Sequence, residues 1–205
     1  MSSTISFLSE LALIKKFRKD CIHLLKKSTN YILSYELPKN SKSLFPNRIL
    51  EDGSADQNSR LAWCYGDFGI GLALLKASKV LKDEELREKA LFILEHTTCR
   101  KVKKNTFVID AAICHGAFGN AQIYNFLYNE TKNELYKESA RYWIQYGMNM
   151  SVYNDGYAGF KQWEGNSEEW SPKTSLLEGI AGIGLSIIDY LSEEPNTWDK
   201  CILLH

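Results

Sequence analysis

Residues 63–72 read Trp-Cys-Tyr-Gly-Asp-Phe-Gly-Ile-Gly-Leu, and the same pattern returns twice further along the chain. Gly66-Asp67-Phe68-Gly69 is matched by Gly116-Ala117-Phe118-Gly119 and by Gly179-Ile180-Ala181-Gly182, each running on into an apolar stretch. The three starts lie 50 and then 63 residues apart. A motif returning at such intervals marks a repeat with one supersecondary unit per period. Glycine at a helix start needs a cause, since within a helix it costs up to about 1 kcal/mol relative to alanine. The cause expected here is close approach of neighbouring helix ends, which a Cβ would block.

Reading outward, each motif opens a helix that is apolar almost all round, as a buried helix should be. These helices are expected over about 66–80, 116–130 and 178–192. The first two are followed by amphipathic partners. One spans about 84–97, with Leu86, Ala90 and Leu94 facing inward, and the other about 133–148, with Leu135, Ala140 and Ile144. The first 35 residues fit the same two-helix unit, with helices near 2–16 and 20–34. Polar, Pro- or Gly-bearing loops fill 36–59, 98–112 and 150–175. No β-rich run is long enough to compete, so the class is all-α. Repeated helix pairs form a solenoid or a closed α/α ring, and in a ring the Gly-x-x-Gly ends share one face around a central hole.

The 205 residues are 44% hydrophobic, with 25 acidic and 25 basic side chains. That is enough apolar material for one domain over residues 1–205. A net charge of zero, with the charges dispersed, gives no general attraction to nucleic acid or to acidic membranes. No run of roughly 18 apolar residues is present, so no integral membrane segment is expected. The N-terminus lacks a positively charged leader and a small-residue cleavage site, and Glu10 interrupts its apolar stretch, so it reads as an amphipathic helix. Five widely spaced cysteines, Cys21, Cys64, Cys99, Cys114 and Cys201, argue against a disulfide framework and for a reducing, cytoplasmic setting.

Two of those cysteines share a phase. Cys64 stands two residues before Gly66, and Cys114 two residues before Gly116. Equivalent positions in adjacent repeats are neighbours in space, so the two thiols should converge, and His115 brings an imidazole to the same place. Two sulfurs and an imidazole suit Zn2+, and three protein ligands leave a fourth position open, as catalytic zinc sites do. Taken as bare spacing, two cysteines beside a histidine fit inert core thiols equally well; the matched phase favours the metal. The third repeat carries Leu177 and Glu178 in the corresponding slot. A closed four-ligand site that recruits Cys21, Cys99, Cys201 or His23 is the other metal reading.

Trp63-Cys64-Tyr65-Gly66, Ile113-Cys114-His115-Gly116 and Leu177-Glu178-Gly179-Ile180-Ala181-Gly182, in that order, resemble the successive signatures of the lanthionine synthetase C-like (LanC) cyclases. Trp198 and Leu203-Leu204 fit the family's last helix. The resemblance implies an α/α toroid, present here as roughly half a ring and corresponding to the family's C-terminal half. It also implies zinc held by Cys64, Cys114 and His115. The reaction implied is addition of a peptide cysteine across dehydroalanine or dehydrobutyrine to form a thioether ring. A free thiol is mostly protonated at neutral pH, and binding to the metal removes that proton. Arg60 and Tyr65 occupy the family's active-site positions, Arg60 to steady developing negative charge and Tyr65 to donate a hydrogen bond near the metal.

The family also uses a histidine in a His-Gly motif one repeat earlier and an aspartate further upstream. Met1-Ser2-Ser3-Thr4-Ile5 aligns just beyond that His-Gly, so both groups are expected to be missing and the chain is read as N-terminally truncated. His23, on a helix, is expected to be structural. A half ring is expected to expose inner-helix apolar faces and to dimerise, aggregate or seek its missing half. The implied partners are a dehydrated, cysteine-containing precursor peptide, and a lanthipeptide dehydratase or the missing N-terminal half. Two alternatives stay open: a catalytically incomplete zinc-bearing module that holds thiols or peptides, and another thiol-activating α/α-barrel zinc enzyme such as a protein prenyltransferase subunit, whose ligand set includes an aspartate. Trp163, Trp170 and the Tyr-rich loop 150–172 are read either as a cap over the core or as a peptide groove.

Overall fold

The computed structural model describes residues 1–55, 58–194 and 196–204. Helices dominate: α1 (Ser2–Leu11), α2 (Arg18–Leu33), α3 (Gly66–Leu81), α4 (Glu84–Thr97), the short α5 (Lys103–Thr106), α6 (Ala117–Thr131), α7 (Glu134–Met148) and α8 (Ile180–Leu191). One antiparallel hairpin, β1 (Gln162–Glu164) with β2 (Glu169–Ser171), and a terminal 3-10 helix (Trp198–Ile202) complete the set among the described residues. The expected helices all form. The first stops at Leu11 rather than near 16, and the Arg18 guanidinium donates to the freed Ala12 carbonyl at 3.3 Å. Residues 56 and 57 of the loop expected over 36–59 lie outside the described residues.

The chain divides into two compact units. One comprises Met1–Arg60, Tyr65–Arg100 and the C-terminal stretch from Asp199; the other comprises Leu61–Cys64 and Lys101–Trp198. In the first, α3 packs on α1 and α4, and α1 on α2. Twelve residues of α3 are buried, so it is an inner helix as its composition requires. The amphipathic α4 buries Leu86, Ala90 and Leu94.

Residues 43–60 of the first unit are pinned by a buried carboxylate at the start of α3. Asp67, with 0% of its side chain exposed, accepts the Leu44 and Phe45 N–H groups at 2.9–3.1 Å and pairs with the buried Arg100 at 3.2 Å. Arg100 donates in turn to the Ser59 carbonyl, and Ser43 Oγ accepts the Ser59 N–H at 2.9 Å. Burial pushes the Asp67 carboxyl above its ordinary range, against the Arg100 charge and the two backbone donors. The loop that precedes Cys64 is thus held to α3 by one charged cluster.

In the second unit α6 packs on α7 and α8. The two helix-pair corners match. Lys82 ends α3 and Lys132 ends α6, both left-handed with φ +56°, and Asp83 and Asn133 then cap α4 and α7 by accepting backbone N–H groups at 2.9 and 3.0 Å. On α7 the buried face is Tyr136, Ala140, Trp143 and Gly147. That is one step round from the expected Leu135–Ile144 stripe; Leu135 is exposed and Ile144 half-buried. Aromatic bulk sets the phase here: Tyr136 stacks on Tyr124, and Gly147 makes room for the Phe118 ring.

α8 departs from the expectation of all-round burial. Only Gly182, Ile183, Ser186 and Asp189 are buried, while Ile188 and Leu191 are 58% and 74% exposed. The inner face is tied down: Ser186 Oγ donates to the Phe118 carbonyl, and Asp189 accepts from Gln122 at 2.7 Å, Asn125 at 3.1 Å and the Asn196 N–H at 3.0 Å. The hairpin was not expected, because strands of three residues carry no readable alternation.

Arg100→Ala should leave the Asp67 carboxyl buried without its cation and destabilise the first unit by about 3–5 kcal/mol. The denaturant midpoint measures this; an unchanged midpoint contradicts the lock.

Candidate metal centre

The segment that leads into α6 lies across that helix's own first turn. The first N–H groups of a helix have no internal acceptors. Here the Asp110, Ala111 and Ala112 carbonyls take the N–H groups of Ala117, Phe118 and Gly119 at 3.0–3.2 Å, and Ala112 O also takes Gly116 N–H at 3.1 Å. This close passage is what the glycines permit. A Cβ on Gly119 would strike the Ile113 carbonyl, and one on Gly182 would strike the Leu176 carbonyl in the same relation. The sequence reading assigned these glycines to neighbouring helix ends; the structure assigns them first to the approach segment of the same helix, while at Gly182 the neighbouring repeat also presses in, with Ile113 Cγ1 2.6 Å from where a Cβ would stand.

The segment is also held from α8's side. The Leu177 carbonyl accepts both the Ile113 and Cys114 N–H groups, at 3.1 and 2.9 Å. The third repeat, with Leu177 in the slot where the others carry cysteine, therefore contributes to the site through its backbone. Cys114 and His115 are fixed at the mouth of α6. Cys64 arrives from the short stretch Leu61–Cys64, anchored by Leu61 N–H to the Thr106 carbonyl at 2.9 Å.

The three expected ligands come together. Cys64 Sγ, Cys114 Sγ and an imidazole nitrogen of His115 lie within 4.8 Å of one another, and the two sulfurs are 3.4 Å apart. Neither cysteine is in a disulfide, and Cys64 Sγ also lies 3.4 Å from the Cys114 carbonyl. Two sulfurs bound tetrahedrally to one zinc ion sit roughly 3.8 Å apart, so the donor set fits that metal with small adjustments. Among the described residues, Cys21, His23, Cys99 and Cys201 are not in this group, which leaves the closed four-ligand alternative without its fourth ligand. Cys21 is buried, and His23, Cys99 and Cys201 are exposed.

Hydrogen bonding from the Cys64 thiol is the largest influence on Cys114, and with His115 it holds that thiol down to about 5, against burial and the Glu178 charge. The site thus favours a thiolate even without a metal. Arg60 is half-buried and Tyr65 is 43% exposed at the extended residue before α3; both belong to the first unit.

One residue that matters at the site was not singled out in the sequence. Asp110 is buried; its Oδ1 accepts the Ala112 N–H at 3.1 Å, its Oδ2 accepts the Trp163 N–H of β1 at 3.2 Å, and Oδ2 lies 3.7 Å from His115 Nε2. The available signal was a single carboxylate inside the apolar run Phe107-Val108-Ile109-Asp110-Ala111-Ala112-Ile113. Trp163 stacks obliquely on Trp170 across the hairpin, and Trp170 on Tyr153. All three rings are half-buried.

Compared with solved structures, the chain superposes on a nisin cyclase with a TM-score of 0.75 over 99% of its own length and 48% of that chain, at 21% identity. At that identity the likeness defines the architecture, an α/α toroid, and the chain spans about half the length of that relative. The lanthionine synthetase C-like protein family matches residues 2–203, and the chain belongs to this family. Membership sets the prenyltransferase alternative aside, and the cluster contains no aspartate ligand.

In metal-free chain, alkylation of Cys114 should follow a thiolate already formed well below neutral pH. Cys64→Ala removes the strongest stabilising donor, so the pH midpoint of Cys114 alkylation should move upward. Rates read by peptide mass spectrometry test this; a curve that stays in place refutes the assignment of the Cys64 thiol as the main cause.

Proposed function

We propose that the chain is a zinc-dependent lanthipeptide cyclase or a portion of one. It would join cysteine thiols of a dehydrated peptide to dehydroalanine or dehydrobutyrine residues. The observation that carries this reading is the convergence of Cys64, Cys114 and His115 in a member of the LanC-like family. Those three residues would hold the ion. Zinc bound there supplies positive charge that lowers the proton affinity of an incoming thiol, leaving a nucleophilic thiolate at neutral pH.

In the addition, the thiolate sulfur bonds to the β-carbon of the dehydro residue and the π electrons move onto the neighbouring carbonyl. A proton then returns to the α-carbon. The thiol gives up one proton and the product gains one, so mass is unchanged. The roles assigned to this chain are to bring the thiol to the mouth of α6, to steady the enolate through Arg60, and to donate a hydrogen bond from Tyr65. Support for Arg60 and Tyr65 is their place around Cys64 in the family motif. The partners proposed are the precursor peptide, and a dehydratase or a polypeptide supplying the remaining portion of the toroid. Among the described residues, no helix is long and apolar enough to cross a membrane.

The 48% coverage of nisin cyclase favours one second reading, a module that binds zinc and thiol peptides without completing the addition. Metal analysis and a cyclisation assay separate the two. About one zinc per chain is expected, lost in Cys64→Ala and in His115→Ala. Undiminished zinc in either variant removes the site. With a dehydrated, cysteine-containing peptide, loss of free thiol at constant mass marks cyclisation, while zinc-dependent peptide binding without thiol loss marks the module.

A further inference from the structure

Asp110 is a buried carboxylate with a fixed orientation and one ring nitrogen before it. Its own carbonyl accepts the Ala117 N–H at 3.0 Å, which locks it to the first turn of α6. Its two oxygens are gripped by backbone donors, Ala112 N–H on Oδ1 and Trp163 N–H on Oδ2. Gly116 keeps this arrangement possible, since a Cβ there would come within 2.6 Å of Oδ1. The carboxylate therefore cannot follow the imidazole; the imidazole must turn to it. His115 Nε2 is 3.7 Å from Oδ2, and a movement of about 0.8 Å brings it to hydrogen-bond distance. Asp110 is not within the group formed by Cys64, Cys114 and His115, and it meets that group at His115 Nε2.

We propose that Asp110 is the positioning residue of His115: its carboxylate accepts the Nε2–H, fixes the neutral ring in that tautomer and turns Nδ1 toward the two sulfurs. This rests on the metal reading above. A carboxylate placed behind a ligating histidine both orients the ring and raises its basicity, and its loss typically weakens metal binding 10–100-fold. The same oxygen that faces His115 also holds β1 through Trp163, so the hairpin and the ligand are registered by one atom.

The test uses the whole chain and zinc alone. Competition with a chromogenic chelator should give Asp110→Asn a zinc affinity roughly 10–100-fold below wild type, with the circular-dichroism melt reporting that the variant is folded. Nitrogen-15 spectra of the metal-free wild type, at a pH where the imidazole is neutral, should place the His115 proton on Nε2, with the resonance assigned through His115→Ala. In Asp110→Asn that proton should redistribute toward Nδ1, a change that a merely structural role would not produce. Wild-type chain that binds no zinc overturns the metal reading and the positioning role with it. Zinc-binding wild type with equal affinity in Asp110→Asn overturns the positioning role alone, as does a wild-type proton found on Nδ1. If Asp110→Asn does not fold, the wild-type spectrum decides.

Discussion

Everything at the centre depends on how the first turn of α6 satisfies its free N–H groups. The segment Asp110–Ala112 folds back and supplies the missing carbonyls itself. That return brings its backbone against the helix so closely that side chains at Gly116 and Gly119 have no room. It also delivers Cys114 and His115 to the helix mouth as the residues at the bend. A solution to an ordinary hydrogen-bonding problem thereby fixes two of the three converging side chains within a few ångströms. The third, Cys64, is carried in by the equivalent stretch one repeat earlier.

Three buried carboxylates tie these parts together, each by a different means. Asp67 has a buried guanidinium and two backbone donors. Asp189 is met by the amides of Gln122 and Asn125 and by a backbone N–H, without a cation. Asp110 has two backbone donors and an imidazole at longer range. Removing a carboxylate from water is costly unless hydrogen bonds replace the lost hydration, and each case supplies at least two. The result is that residues 43–60 and the residues after α8 are each bound to a helix by one side chain, and the β1–β2 hairpin is bound by one side chain to the segment that leads into α6.

Much of this was readable in the sequence because it repeats. The Gly-x-x-Gly starts located α3, α6 and α8, and the phase of Cys64 and Cys114 located the convergence of Cys64, Cys114 and His115. What escaped was either local or made by tertiary packing. The three-residue strands are too short to carry a period. The face of α7 was set by Tyr136 and Trp143 packing, which the simple aliphatic stripe did not anticipate. The exposure of Ile188 and Leu191 is a property of what surrounds α8, and an apolar sequence cannot report that. Asp110 stood alone, outside the repeated pattern. The Leu177 carbonyl contributes no side chain at all, so only coordinates reveal its role.

The matched corners after α3 and α6 carry a last consequence. Lys82 and Lys132 both hold a left-handed backbone that crowds a Cβ, and neither is glycine or asparagine. Each corner therefore stores strain on the order of 1–2 kcal/mol that the folded chain absorbs through the helix pair it closes. The two joints are a reserve of stability left undrawn, in places remote in sequence from Cys64, Cys114 and His115, where a thermally hardier scaffold is within reach of two point changes.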